Sequence, residues 1–150
     1  MKNRSVTHST FTIERTYDAS PERVFRAFAD KESKAKWFSG PDEWVLAKSE
    51  MDFRVGGREI SSAGPKGGPL HTFEARYHDI VPNARIVYSY DLFVGDAKLS
   101  VSLTTIELDP VGKSTRLVFT EQGAFLDGHE DPKLREEGTR WLLGKLGDSL

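Results

Sequence analysis

Residues 70–109, LHTFEARYHDIVPNARIVYSYDLFVGDAKLSVSLTTIELD, hold three runs of apolar–polar alternation separated by two turn signals. The runs are read as strands over about 70–81, 85–94 and 97–109, with Pro82-Asn83 and Gly95-Asp96 as the turns. Turns this short can only join antiparallel neighbours. Upstream, Ala63 to Pro69 reads as a loop, Met51 to Ile60 as a strand broken by Gly56-Gly57, and Trp44 to Leu46 as a short strand. Downstream, Asp109 to Gly112 is a turn and Arg116 to Gln122 the last strand. Phe11 to Tyr17 alternates as strand one, and the polar residues 1–9 before it are expected to fray. Ser20-Pro21-Glu22-Arg23 starts a short helix, and Asp30 caps a second that runs through Trp37-Phe38 to the stop at Gly40-Pro41. The tail changes period. After Asp131-Pro132, the residues Leu134, Gly138, Trp141, Leu142 and Leu146 recur at helical spacing and form one apolar stripe. The order, one strand, two short helices, six further strands and one long helix, predicts an α+β domain built as an antiparallel sheet with helices on one face.

The chain has 150 residues, enough for a single domain with one core, and neither a repeat nor a second domain is evident in it. Its 21 basic and 23 acidic residues leave a net charge of -2, which argues against a phosphate-backbone binder. No apolar run approaches the ~20 residues of a membrane span, and the N-terminus lacks a secretory h-region. The absence of cysteine excludes disulfides, thiolate nucleophiles and cysteine metal sites, and fits a cytoplasmic protein.

Among side chains that carry chemistry, His8, His71, His78 and His129 are not spaced for a metal site, so no metal or other cofactor is expected. His71 and His78 should face opposite sides of one strand. Glu121 follows Leu117 and Phe119 in alternation, so it either faces inward as a weak candidate general acid or base, or lies solvated at a strand mouth beside Arg76 or Arg116. The strand-end reading is preferred. Glu74 and Arg76 should point outward. The candidate ligand-contacting residues are Phe73, Tyr77, Tyr88, Tyr90, Leu103, Phe119, Glu121 and Trp141, with Trp37 and Phe38 at the end of the second short helix; the alternative for each aromatic is plain core packing. Gly56-Gly57 is read as a bulge or tight turn, not as a phosphate cradle.

The segments RTYDASPERVFRAFAD (15–30), WF (37–38), DFRVGGRE (52–59), TFEARYHDIVPNARIVYSY (72–90), TIELDPVGKSTRLVFTEQGAF (105–125) and DPKLREEGTRWLLGKL (131–146) occur in one order along the chain. That ordered set resembles the SRPBCC (START/Bet v-like) superfamily, in the branch named after the activator of the heat-shock-protein-90 ATPase. It is most similar to small bacterial single-domain members, some labelled polyketide cyclase-like. The resemblance implies a helix-grip fold, a curved seven-stranded antiparallel sheet wrapped round the long C-terminal helix with a cavity between them. The second short helix would close one end of it, making Trp37 and Phe38 either the edge of a lid or a clamp that fixes the helix on the sheet. With the aromatic wall, it leads to the expectation of a protein that binds a hydrophobic or aromatic small molecule between sheet and C-terminal helix. Two alternatives stay open: a cyclase-, dehydratase- or hydrolase-like enzyme using Glu121 and a tyrosine, and a co-chaperone or stress-response module. A homodimer and a chaperone are the further partners considered.

Overall fold

The computed structural model describes residues 4–150; residues 1–3, part of the segment expected to fray, lie outside the described residues. The elements are β1 (Val6–Tyr17), α1 (Pro21–Ala29), α2 (Lys31–Ala35), β2 (Val45–Met51), β3 (Arg58–Gly64), β4 (His71–Val81), β5 (Arg85–Val94), β6 (Ala97–Val111), β7 (Ser114–Leu126) and α3 (Pro132–Ser149). The seven strands form one antiparallel sheet in the order β1-β7-β6-β5-β4-β3-β2. The α1–α2 connection carries the chain from one edge of this sheet to the other. From β2 onward every strand pairs with its successor, and β7 closes on β1.

Local chemistry sets the element ends. The Ser20 hydroxyl accepts from Arg23 N–H at 3.3 Å, and the Asp30 carboxylate accepts from Ser33 N–H at 3.0 Å. Both are N-caps that satisfy donors a helix leaves free. Trp37 Nε1–H donates to the Ala27 carbonyl at 2.9 Å, which locks the turn after α2 onto α1. Thr115 Oγ1–H donates to the Ala19 carbonyl at 2.7 Å and fixes the start of α1 against β7.

Three expectations are corrected. The strand read over Met51 to Ile60 is in fact the end of β2, a turn and the start of β3. Gly56 there has φ 83°, and a Cβ on Gly57 would lie 2.1 Å from the Asp52 carbonyl oxygen. Glycine at both positions therefore makes a tight turn. The turn is anchored on β4 by Gly56 N–H to the Tyr77 carbonyl (2.8 Å) and Tyr77 N–H to the Gly57 carbonyl (3.0 Å). Second, residues 6–9 do not fray, because β7 runs to Leu126 and gives them backbone partners. Third, the phase of α3 differs from the apolar stripe. Its buried residues are Arg135, Thr139, Leu143 and Leu146, whereas Leu134 and Trp141 are 59% and 50% exposed. The helix turns its C-terminal leucines into the core and lays its polar N-terminal half over the cavity. Tyr17 Oη–H donates to the Leu143 carbonyl at 2.8 Å and pins α3 to β1.

Candidate functional site

The core and the cavity share the concave face of the sheet. Ile13, Ile86, Ile106 and Leu117 fill the end under α1 and the C-terminal half of α3. Toward the other end the rings become larger and the space is not filled. A chamber of about 370 Å³ lies between Tyr88, Tyr90, Phe119 and Glu121 of the sheet and the first three turns of α3. A second, of about 420 Å³, continues under α2 toward β2 and β3, past Met51, Glu59 and Ser61. The two adjoin, with Lys34, Phe38, Phe73 and Leu142 lining both.

Aromatic rings line the junction in edge-to-face or tilted contact. Phe38 meets Phe73 at 4.9 Å, and Phe73 meets Tyr90 at 4.8 Å. Such a wall offers ring faces and edges to a flat guest. At the rim, Trp44 lies 4.4 Å from the His71 ring.

Two buried polar clusters flank these rings. At the α3 end, the Arg135 guanidinium donates through Nε and Nη2 to the two Glu130 oxygens at 2.9 and 2.6 Å. Its Nη2 also reaches Ser100 Oγ at 2.8 Å, and its Nη1 donates to Tyr90 Oη at 2.9 Å. Tyr90 passes its own proton on to Glu121 Oε2 at 2.8 Å, and Thr104 Oγ1–H donates to Oε1 at 3.2 Å. Arg135 Nη1 itself stays 3.7 Å from Glu121, beyond hydrogen-bond range. Glu130 thus holds the guanidinium fork, and Glu121 is left with hydroxyl donors. Burial pushes the Glu121 carboxyl above the usual carboxylate range, with Arg135, Tyr90 and Thr104 offsetting only part of it. Burial, then the neighbouring Glu121 charge, also pushes the Tyr90 and Tyr88 hydroxyls up. Burial alone would oppose the charge on Arg135, but Tyr90 and Glu130 outweigh it and its pKa rises.

At the α2 end, Lys34 Nζ donates to Glu59 Oε1 at 2.6 Å, and Tyr77 Oη–H donates to that same oxygen at 2.5 Å. The ammonium stands 4.5 Å from the Phe38 ring centroid, 5.6 Å from Phe73 and 5.9 Å from Tyr88. Among the described residues no cluster of His, Asp and Glu is arranged to hold a metal ion.

The residues expected at the wall divide. Trp37, Phe38, Phe73, Tyr88, Tyr90, Phe119 and Glu121 line the cavity, and Trp141 forms part of its rim. Tyr77 is buried but lines neither chamber, packing on Phe53 with its hydroxyl on Glu59. Leu103 is 39% exposed on the convex face, because Ser102 and Thr104 take the inward positions of β6. The solvated reading of Glu121 is also overturned: it is 2% exposed. β7 continues to Leu126, so Glu121 is a mid-strand residue rather than one at a mouth. The partners suggested for it lie elsewhere: Arg116 bonds Glu14 at 2.5 Å, and Arg76 is exposed. His71 and His78 face opposite sides of β4, as expected: His71 lines the cavity, and His78 lies outside, where it meets Ser89 Oγ at 2.7 Å.

Lys34, Glu59, Glu130 and Arg135 were not picked out by the sequence pattern. A signal for two of them was there. Lys34 precedes the partly buried Phe38 by one helical turn, and Arg135 stands eight residues before the buried Leu143, so each shares a face with an apolar residue of the core or its margin.

Solved structures share this architecture along nearly their whole length. The Mll3558 protein from Rhizobium loti is 53% identical, with a TM-score of 0.91 over 97% of this chain and 99% of that one. A protein from Rhizobium leguminosarum is 42% identical, with a TM-score of 0.93 over 99% and 97%. The CV1439 protein from Chromobacterium violaceum is 33% identical, with a TM-score of 0.77 over 93% and 94%. No curated protein matches the chain. The family model for Activator of Hsp90 ATPase homolog 1-like protein matches residues 18–150, from the end of β1 through α3, which takes in both chambers and both polar clusters. With its seven-stranded sheet closed on a C-terminal helix, the chain belongs to the Activator of Hsp90 ATPase homolog 1-like family.

Proposed function

We propose that this protein binds a flat hydrophobic or aromatic small molecule in the cavity between sheet and α3, and that it does so in the cytoplasm. The observation that carries this reading is the pair of adjoining chambers, about 370 and 420 Å³, that meet at a junction of aromatic rings with a buried polar cluster at either end. Ligand sites are of this size and chemistry, with an apolar body to hold the guest and sparse polar groups to orient it. A neutral fluorophore, N-phenyl-1-naphthylamine, should bind in a saturable way at about one site per chain. Tyr88→Ala should change its affinity, and Glu74→Ala on the convex face should not. Affinities are compared on variants shown to be folded. Saturable binding absent both for the fluorophore and for a broad apolar library, with no shift in melting temperature, would end this reading.

One observation favours a second reading. Glu121 is a buried carboxyl that faces the cavity, stands 3.7 Å from an Arg135 that Glu130 holds, and lies beside the Tyr90 hydroxyl. A carboxyl held toward its neutral form can give a proton to a carbonyl oxygen and take one back, which is the requirement for a cyclase- or dehydratase-like general acid. Contact with a chaperone is a third proposal, supported by the family's description.

A further inference from the structure

The two polar clusters differ in what they have left to offer a guest. At the α3 end, Arg135 is engaged by Glu130, Ser100 and Tyr90. Two carboxyl groups, Glu121 and Glu130, stand beside it, so an incoming anion would meet acidic groups around an occupied fork. The α2 end is different. Lys34 is 6% exposed and lines both chambers. Its ammonium has three N–H donors, and its one hydrogen bond among the described residues is to Glu59 Oε1, an oxygen that also accepts from Tyr77. Three ring faces stand around it. The other charged residues lining that chamber, Lys31 and Asp42, are exposed at its rim, and Lys31 donates to the Ser49 carbonyl. A desolvated ammonium with unused donors binds an anionic oxygen strongly, and the rings beside it suit a guest whose anion is attached to a flat apolar body.

We propose, resting on the small-molecule reading above, that the ligand is a flat aromatic carboxylate whose anionic group bonds Lys34. Its ring system lies along Phe73, Tyr88 and Tyr90 toward the α3 end. The free donors fix the orientation: Lys34 keeps unused N–H groups, whereas the Arg135 fork at the other end is already held by Glu130, Ser100 and Tyr90. Glu59 is the internal competitor. Its carboxylate holds the place next to Lys34 that the ligand's carboxylate shares, and Tyr77 draws on the same Glu59 oxygen.

The test is calorimetric titration of 2-naphthoate and of neutral 2-naphthalenemethanol into the folded wild type, Lys34→Met and Glu59→Gln. The wild type should bind the acid about tenfold or more tightly than the alcohol, the range of one charge-assisted hydrogen bond. Lys34→Met should lose that preference while keeping its affinity for the alcohol. Glu59→Gln removes the competing charge and should tighten the acid alone. Lys34→Met leaves Glu59 buried without its cation, so if that variant does not fold, the Lys34→Met/Glu59→Gln pair takes its place and should show no preference. A wild type that binds the alcohol as well as the acid, or a Lys34 variant that keeps the preference, overturns the assignment of the anion and leaves the small-molecule reading standing. Binding of neither compound, with no change in melting temperature and no hit from the apolar library, removes both.

Discussion

At the scale of single residues, the clearest consequence concerns Glu121. Its folded-state pKa is raised, chiefly by burial, whereas in the unfolded chain it returns to about 4.3. Between those two values the folded state binds the extra proton, so stability falls as pH rises through the window. The destabilising contribution is absent below the unfolded value and complete above the folded one. Glu121→Gln has no proton to lose, and its amide oxygen can still accept from Tyr90 or Thr104. Its stability relative to wild type should therefore improve progressively from about pH 4 upward and level off once Glu121 is ionised. Urea melts of both proteins across pH measure this, and a difference that stays flat would mean that Glu121 ionises as a solvent-exposed carboxylate does. On the acid–base reading proposed above, the same variant should abolish turnover and leave ligand affinity intact. Alternation could tell which way Glu121 points but not how deep it lies, because depth depends on where β7 ends. Leu103 shows the opposite case. Its apolar character suggested the wall, but Ile106 and Leu108 fix the even positions of β6 as inward, which puts Leu103 outside.

At the scale of elements, α3 links core to cavity. Its C-terminal half is held by Leu143 and Leu146, 1% and 0% exposed, and by the Tyr17 hydroxyl on the Leu143 carbonyl. Its N-terminal half offers Arg135 and Thr139 to the cavity, and Thr139 Oγ1–H is satisfied by the Arg135 carbonyl at 2.8 Å. Leu143→Ala and Leu146→Ala should each cost about 2–5 kcal/mol, as deletions in a close-packed core do. Leu134→Ala and Trp141→Ala should stay within about 0.5 kcal/mol, since half or more of each side chain is in solvent. Denaturant unfolding of the four variants decides it, and comparable losses at all four would restore the apolar stripe as the buried face. The stripe misled because Leu142 lies between two faces, partly buried, and counting from it selects Leu134, Gly138 and Trp141. The number of strands and most of their hairpins were legible, since turn residues punctuate the chain between them. The β2–β3 hairpin was not: Met51, Phe53 and Val55 continue a strand-like alternation into a turn that only the glycine geometry and the pairing with Tyr77 define.

At the scale of the whole molecule, the sheet is open at β1 and β2, and its concavity is closed from above by α3 and at one end by α2. The sequence shows this arrangement because seven strands with one long helix have few ways to bury an apolar face. It does not show the cavity's polar ends, because each depends on residues far apart in the chain: Lys34 with Glu59 and Tyr77, Arg135 with Ser100, Tyr90 and Glu121. A guest between these walls touches α2, α3 and the sheet together, and those contacts exist only in the folded chain. Binding must therefore appear as stability. At a free concentration of one hundred times its dissociation constant, a ligand selective for the folded state adds about 2.7 kcal/mol, and at one thousand times about 4.1. The increment should follow ligand concentration logarithmically with an unchanged denaturant dependence, because the surface exposed on unfolding is nearly the same. It should also slow amide exchange in α3, whose openings would have to release the guest first. N-phenyl-1-naphthylamine can be tested in this way before any natural ligand is known. A fluorophore that brightens on mixing yet neither raises the denaturation midpoint nor protects α3 is adhering outside the cavity, and that result would count against the grip as a binding device.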